Sequence, residues 1–159
     1  MAAWHLAQPF TRPQPGVGRG HHFGGHRNAD PKYAFPRKRI VKHFVPDSPL
    51  RVSALRSLGA YANVFAIESF MDELAHAAGK DPLEFRRKYM ADQPKNLAVL
   101  NAVAEKAGWG KPAPKGVHRG LAVCTAFASY VAACAEVTVS DQGKLKIHRI
   151  VAATDPGYA

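Results

Sequence analysis

Three histidines, two cysteines and a loop arginine are the groups whose types and spacing could do chemistry in this chain. His21, His22 and His26 form a His-His-x-x-x-His array, a spacing that holds zinc when the imidazoles share one helical face. Gly18, Gly20, Gly24 and Gly25 surround them, and each would disfavour a helix interior by about 1 kcal/mol. A loop without a metal is therefore expected. Cys124 and Cys134 form no CxxC pair, whereas an iron–sulfur cluster needs four thiolates, or two with two histidines. Structural buried thiols are expected, and a disulfide cannot be argued from their positions. Arg56 lies in the loop Leu55 to Gly59. Its guanidinium suits either an acidic neighbour such as Glu68 or an anionic ligand, and Gly59 permits close approach of the backbone. Glu68, Glu73, Glu84, Glu105 and Glu136 all fall in helix or strand patterns that account for them structurally. None of them is assigned as a catalytic base.

The elements that must carry these groups are legible from periodicity. Val64, Ile67, Met71, Leu74 and Ala78 recur at three- and four-residue steps, which predicts a helix over about 63–78. Glu68, Asp72 and Glu73 fall off that apolar line, and Gly79 closes it. Asp81, Pro82 and Glu84 make a capping-box pattern for a second helix over 82–90. Leu97, Leu100, Ala104 and Ala107 mark a third helix, ended by Gly108. Residues 111–116, with two prolines, read as a linker. Branched and alanine-rich runs then predict strands at 121–125, 130–140 and 144–153, with Asp141-Gln142-Gly143 as a hairpin turn. An earlier strand is predicted over 39–45, stopped by Pro46 and Pro49. The first 30 residues, rich in glycine, proline, histidine and arginine, offer no periodic apolar face and read as irregular or disordered. The expected fold class is α+β.

Composition bounds the function classes. A chain of 159 residues with 47% hydrophobic residues can bury a sizeable core. Its formal charge of +10 is uneven. Arg12, Arg19, Arg27, Lys32, Arg37, Lys38, Arg39 and Lys42 face only Asp30 and Asp47 within the first 50 residues. No helix-turn-helix, zinc-finger or stacking-aromatic pattern accompanies that charge, so nucleic acid is not the expected partner. No apolar run reaches the length of a membrane span. The N-terminus shows no basic leader followed by an apolar stretch, so no secretory signal is visible. Both cytoplasm and periplasm stay open as compartments.

The longest informative pattern is Ala-Ile-Glu-Ser-Phe-Met-Asp-Glu-Leu-Ala-His-Ala-Ala-Gly-Lys-Asp-Pro, from Ala66 to Pro82. With Arg119-Gly120-Leu121-Ala122-Val123, Ala135-Glu136-Val137 and Val151-Ala152-Ala153-Thr154-Asp155-Pro156-Gly157, it resembles the molybdopterin-binding large subunit of the molybdenum hydroxylases. That is the xanthine dehydrogenase and aldehyde oxidase family, here nearest its two-subunit bacterial enzymes acting on nitrogen heterocycles or aldehydes. The subunit of that family is several times longer. The resemblance therefore implies an internal piece: 1–30 irregular, 31–110 the end of a first molybdopterin-binding domain, 111–116 a linker, and 117–159 the truncated start of a second.

The resemblance also implies a site. Arg56, Ser57, Leu58 and Gly59 would border a molybdopterin-type molybdenum cofactor, beneath the bound substrate. Leu58 stands where xanthine-oxidising members carry a phenylalanine, which argues against a purine-like substrate. The family's general base is a glutamate near the C-terminus of the full subunit, and no residue here matches it. The chain alone is thus expected to be inactive. Its parent would take an N-heterocycle or aldehyde, use water as the oxygen source, and work with a small iron–sulfur subunit. A reading from another class is a standalone basic αβ binding module, without catalysis. Such a module would bury Val64, Ile67, Met71, Val137 and Ile147 in one core and lose affinity steeply with salt. A piece of a larger subunit would instead leave an apolar patch exposed.

Overall fold

The computed structural model describes residues 25–43 and 56–158. His21, His22, Leu55, Pro46 and Pro49, with most of the first 30 residues, lie outside them. Three helices are followed by three strands: α1 (Gly59–Ala77), α2 (Pro82–Tyr89), α3 (Pro94–Ala107), β1 (His118–Ala126), β2 (Ser129–Val139) and β3 (Leu145–Asp155). This is α+β. The chain divides into two compact units, one holding Met1–Pro31 and Phe35–Phe70, the other Lys32–Ala34 and Met71–Ala159.

In the first unit, a turn at residues 25–28 is fixed from α1. Asn63, 1% exposed, donates from Nδ2 to the carbonyls of Gly25 and Arg27, both at 2.8 Å. The predicted strand over 39–45 is not formed in its described part. Residues 39–43 lie outside any strand, and Ile40 and Val41 are exposed. Alternation alone does not make a strand, and among the described residues no strand pairs with residues 39–43. Residues 44 and 45 lie outside the described part.

Helix α1 starts four residues before its predicted bound, and its buried line is rotated from the predicted one. Ala60, Asn63, Glu68, Met71 and Ala75 are buried, Val64, Ile67 and Leu74 are half-buried, and Ala78 is exposed. Two polar residues therefore occupy the inward face that an apolar count assigned to their neighbours.

The second unit is a helix-on-sheet layer. Asp81 caps α2 by accepting from the N–H groups of Leu83 and Glu84 at 2.9 and 3.1 Å, with Pro82 in the first turn. The reciprocal half of the expected box is replaced, since Glu84 accepts from Arg87. Gly108, in the left-handed region at φ 68°, ends α3, a conformation glycine adopts without steric penalty. The sheet has the order β1-β2-β3 and is antiparallel throughout. Gly143, at φ 76°, lies in the turn between β2 and β3, where Ser140 N–H donates to Lys144 O. Helix α3 packs on all three strands. Its Val99, Leu100, Val103, Ala104 and Ala107 are buried, as are Leu121, Val123, Ala132 and Cys134 on the sheet. Each large aliphatic side chain so enclosed contributes roughly 1.5–3 kcal/mol.

Candidate functional site

The loop entering α1 is a tight turn over Arg56, Ser57 and Leu58. Ser57 and Leu58 are both left-handed, at φ 71° and 53°, a conformation that costs an L-residue roughly 1–2 kcal/mol. Ala60 N–H donates to Ser57 O at 3.1 Å, joining this turn to the first turn of the helix. Arg56 and Ser57 are exposed, Leu58 is half-buried and Gly59 is buried as the first helical residue. The four expected site residues are thus brought together by chain continuity on one turn.

Their electrostatic setting is cationic. The 19-residue α1 has no acidic residue in its first turn, so no side-chain carboxylate there offsets the partial positive charge of the helix N-terminus. Arg56 has no hydrogen-bond or ion-pair partner among the described residues. The alternative in which it pairs with Glu68 is not what the structure holds. A guanidinium, a hydroxyl and helix-terminal amides form a donor-rich set suited to an anionic, oxygen-rich group. That chemistry fits the pterin cofactor that the sequence resemblance implies. No metal-ligating side chain is supplied here, and among the described residues no group of three or more His, Cys, Asp or Glu is placed to hold a metal ion.

Sequence reasoning missed Asn63, one to two turns further along α1. Its two carbonyl partners tie the turn bearing exposed His26 and Arg27 to the helix that begins at the candidate site. The available signal was an asparagine in line with Ala60, Ile67 and Met71. The acidic groups remain structural. Glu136 accepts from Arg119 Nε at 2.9 Å and from Arg149 Nε and Nη2 at 3.0 and 2.9 Å. Those bonds, Arg149's first, hold its carboxyl below the ordinary value. Arg119 and Arg149 go on to donate to the carbonyls of Gly108 and Ala107, pinning the end of α3 to the sheet. Cys134 is buried, and that burial raises its thiol pKa, which keeps the reactive thiolate scarce.

Comparisons with known proteins fall on the same region. Residues 17–90 match the family model of the molybdopterin cofactor-binding domain. One subunit of the nicotinate dehydrogenase of Pseudomonas putida is 41% identical over 86 residues, 54% of this chain and 7% of that protein. The beta subunit of isoquinoline 1-oxidoreductase from Brevundimonas diminuta is 28% identical over 148 residues, 86% of this chain and 19% of that protein. A membrane-bound aldehyde dehydrogenase of Gluconacetobacter polyoxogenes, named for pyrroloquinoline quinone, is 31% identical over 101 residues, 54% of this chain and 13% of that protein. The chain therefore spans between 7% and 19% of the length of these relatives. No solved structure matches the chain significantly. Among the described residues, no helix is long and apolar enough to cross a membrane.

Proposed function

Because the chain belongs to the molybdopterin-binding family of the molybdenum hydroxylases, we propose that it forms part of the cofactor-binding subunit of an oxidoreductase that hydroxylates N-heterocycles or oxidises aldehydes, with water as the oxygen source. The observation that carries the site is Arg56, an exposed guanidinium without a partner among the described residues, within the residues matched to the cofactor-binding domain. When bound, the cofactor supplies the redox chemistry, and the protein supplies binding and orientation.

In this reading Arg56 donates to an anionic group of the cofactor. The amides at the start of α1 add their dipole, Ser57 offers a hydroxyl, and Gly59 keeps the backbone approach clear. Leu58 borders the substrate and, lacking the phenylalanine ring that xanthine-oxidising members carry there, argues against a purine-like substrate. The three helices belong to the end of one cofactor-binding domain, and residues 117–159 to the start of a second. A small iron–sulfur subunit accepts the electrons. The catalytic base lies on other residues of the large subunit.

The test is Arg56→Gln in the complete subunit, with bound molybdenum and released pterin measured beside turnover. A charge-assisted hydrogen bond contributes about 1.5–3 kcal/mol. Pterin retention should thus fall roughly ten- to a hundredfold, while far-UV circular dichroism stays unchanged. Unaltered pterin and molybdenum content would refute the assignment of Arg56.

A further inference from the structure

Asn63 is a buried amide on α1 whose Nδ2 donates to Gly25 O and Arg27 O, each at 2.8 Å. Only an NH2 group can meet two carbonyl oxygens at once, so these partners set the orientation of the amide. Gly59, the first residue of α1, stands four positions earlier, one turn away on the same face and about 6 Å along the axis. Helical side chains lean toward the N-terminus and cover the turn before their own Cα. The carbonyls held by Asn63 therefore lie over the first turn of α1, where Gly59 and Ala60 are buried.

The held segment is itself a tight turn. Ala29 N–H donates to His26 O at 3.0 Å, closing a β-turn with Arg27 and Asn28 at its centre. Asn28 takes φ 63°, a left-handed conformation that asparagine tolerates. Ala29 is buried, whereas His26 and Arg27 are exposed. The turn over residues 56–58 carries left-handed residues too, with Arg56 exposed on it. Two arginine-bearing turns thus meet the same end of one helix.

We propose that Asn63 is a positioning residue of the cofactor site, holding Arg27 beside Arg56 as a second cation for the same anionic group of the cofactor. The inference rests on the cofactor reading given above and adds a second wall to that site. An arginine stem is long enough to cross the single turn, about 5.4 Å, that separates Asn63 from Gly59. Two guanidiniums brought close repel each other, and an anion between them turns that repulsion into charge-assisted hydrogen bonds from both sides. The first turn of α1 holds no acidic residue that would compete for them.

The experiment follows pterin and molybdenum retained by the complete subunit through dialysis at low and high salt. It compares the wild type with Arg56→Gln, Arg27→Gln, Asn63→Ala and the variant combining the last two. Arg27→Gln should lower retention about tenfold, the effect of one charge-assisted hydrogen bond, and should flatten its dependence on salt. Asn63→Ala should lower retention by a similar factor with Arg27 still present. Adding Arg27→Gln to it should then cost little more, because the arginine is already released. An amide that only stabilised the fold would lower the melting temperature and leave the full effect of Arg27→Gln in place. Arg27 is exposed, so its variant decides the matter even where Asn63→Ala does not fold. Retention that falls in Arg56→Gln and stays at the wild-type level in Arg27→Gln overturns the inference and spares the cofactor reading. Full additivity in the combined variant overturns it as well. Undiminished retention in every variant removes the reading and the inference together.

Discussion

Arg86, with no exposed side-chain surface, donates from Nη2 to the carbonyl of Leu121 at 3.0 Å, joining α2 to a strand 35 residues later. Its Nη1 donates to Asp72 Oδ1 at 2.6 Å and to Pro82 O at 3.2 Å. One guanidinium thus ties the C-terminal half of α1, the first turn of α2 and β1. Its rigid fork of donors suits three acceptors set in different directions, which an ammonium group on a flexible stem serves less well.

Arg86→Met keeps much of the volume and removes every donor. The carbonyl of Leu121 then loses a buried partner, and an orphaned acceptor costs about 1–3 kcal/mol. With the charge-assisted bond to Asp72 also gone, the expected loss is about 2–4 kcal/mol, read as a lower urea midpoint at unchanged slope. A loss below about 1 kcal/mol would show that the guanidinium fills space and does little else.

Capping gives a second outcome. Asp81 holds two amides of α2 and also accepts from Trp109 Nε1, at 3.0 Å to Oδ2. Losing an N-cap costs about 1 kcal/mol, so Asp81→Ala should destabilise by about 1–2 kcal/mol. Asp81→Asn, which keeps an acceptor for the helix amides, should recover most of that loss. Equal losses in the two variants would locate the effect in the charge and not in the cap.

How much of this was legible depended on whether the signal was local. The α2 cap, the left-handed Gly108 and the Gly143 turn follow from short-range stereochemistry, and they stand where the sequence placed them. The strands begin and end within three residues of their predicted bounds. What failed was orientation. Asn63 and Glu68 face inward on α1 because their polar groups have partners there, and an apolar count cannot see a partner 38 residues away. Arg86 escaped notice for the same reason. For the candidate site, the sequence supplied the residues Arg56 to Gly59. The strained turn that presents them came from the backbone, since neither Ser57 nor Leu58 advertises a positive φ.

The same blindness hid the β1–β2 hairpin, whose two central residues are Phe127 and Ala128, at φ 50° and 61°. A two-residue turn with both positions left-handed normally takes Asn-Gly or Gly-Gly. Ala128→Gly relieves roughly 1 kcal/mol of strain but adds freedom to the unfolded chain. A net gain of about 0.5–1 kcal/mol is expected in urea unfolding. Destabilisation by the glycine would mean that the alanine methyl makes packing contacts worth more than the strain.

Acid should reveal what Glu136 does. Arg149 and Arg119 hold its carboxyl below the ordinary value of 4.5, because each donates to the ionised form. A depressed folded value means that the unfolded chain takes up the proton first as pH falls. The stability from this group is therefore fully present above about pH 5, and declines as pH passes below the ordinary value toward the folded one. Glu136→Gln leaves Arg119 and Arg149 bridging the sheet to Gly108 and Ala107 without their carboxylate, and should melt lower at neutral pH. The gap between variant and wild type should then narrow steadily in acid, since a protonated Glu136 resembles the glutamine. A gap of constant size from pH 7 to pH 3 would show that Glu136 acts through shape and not through charge.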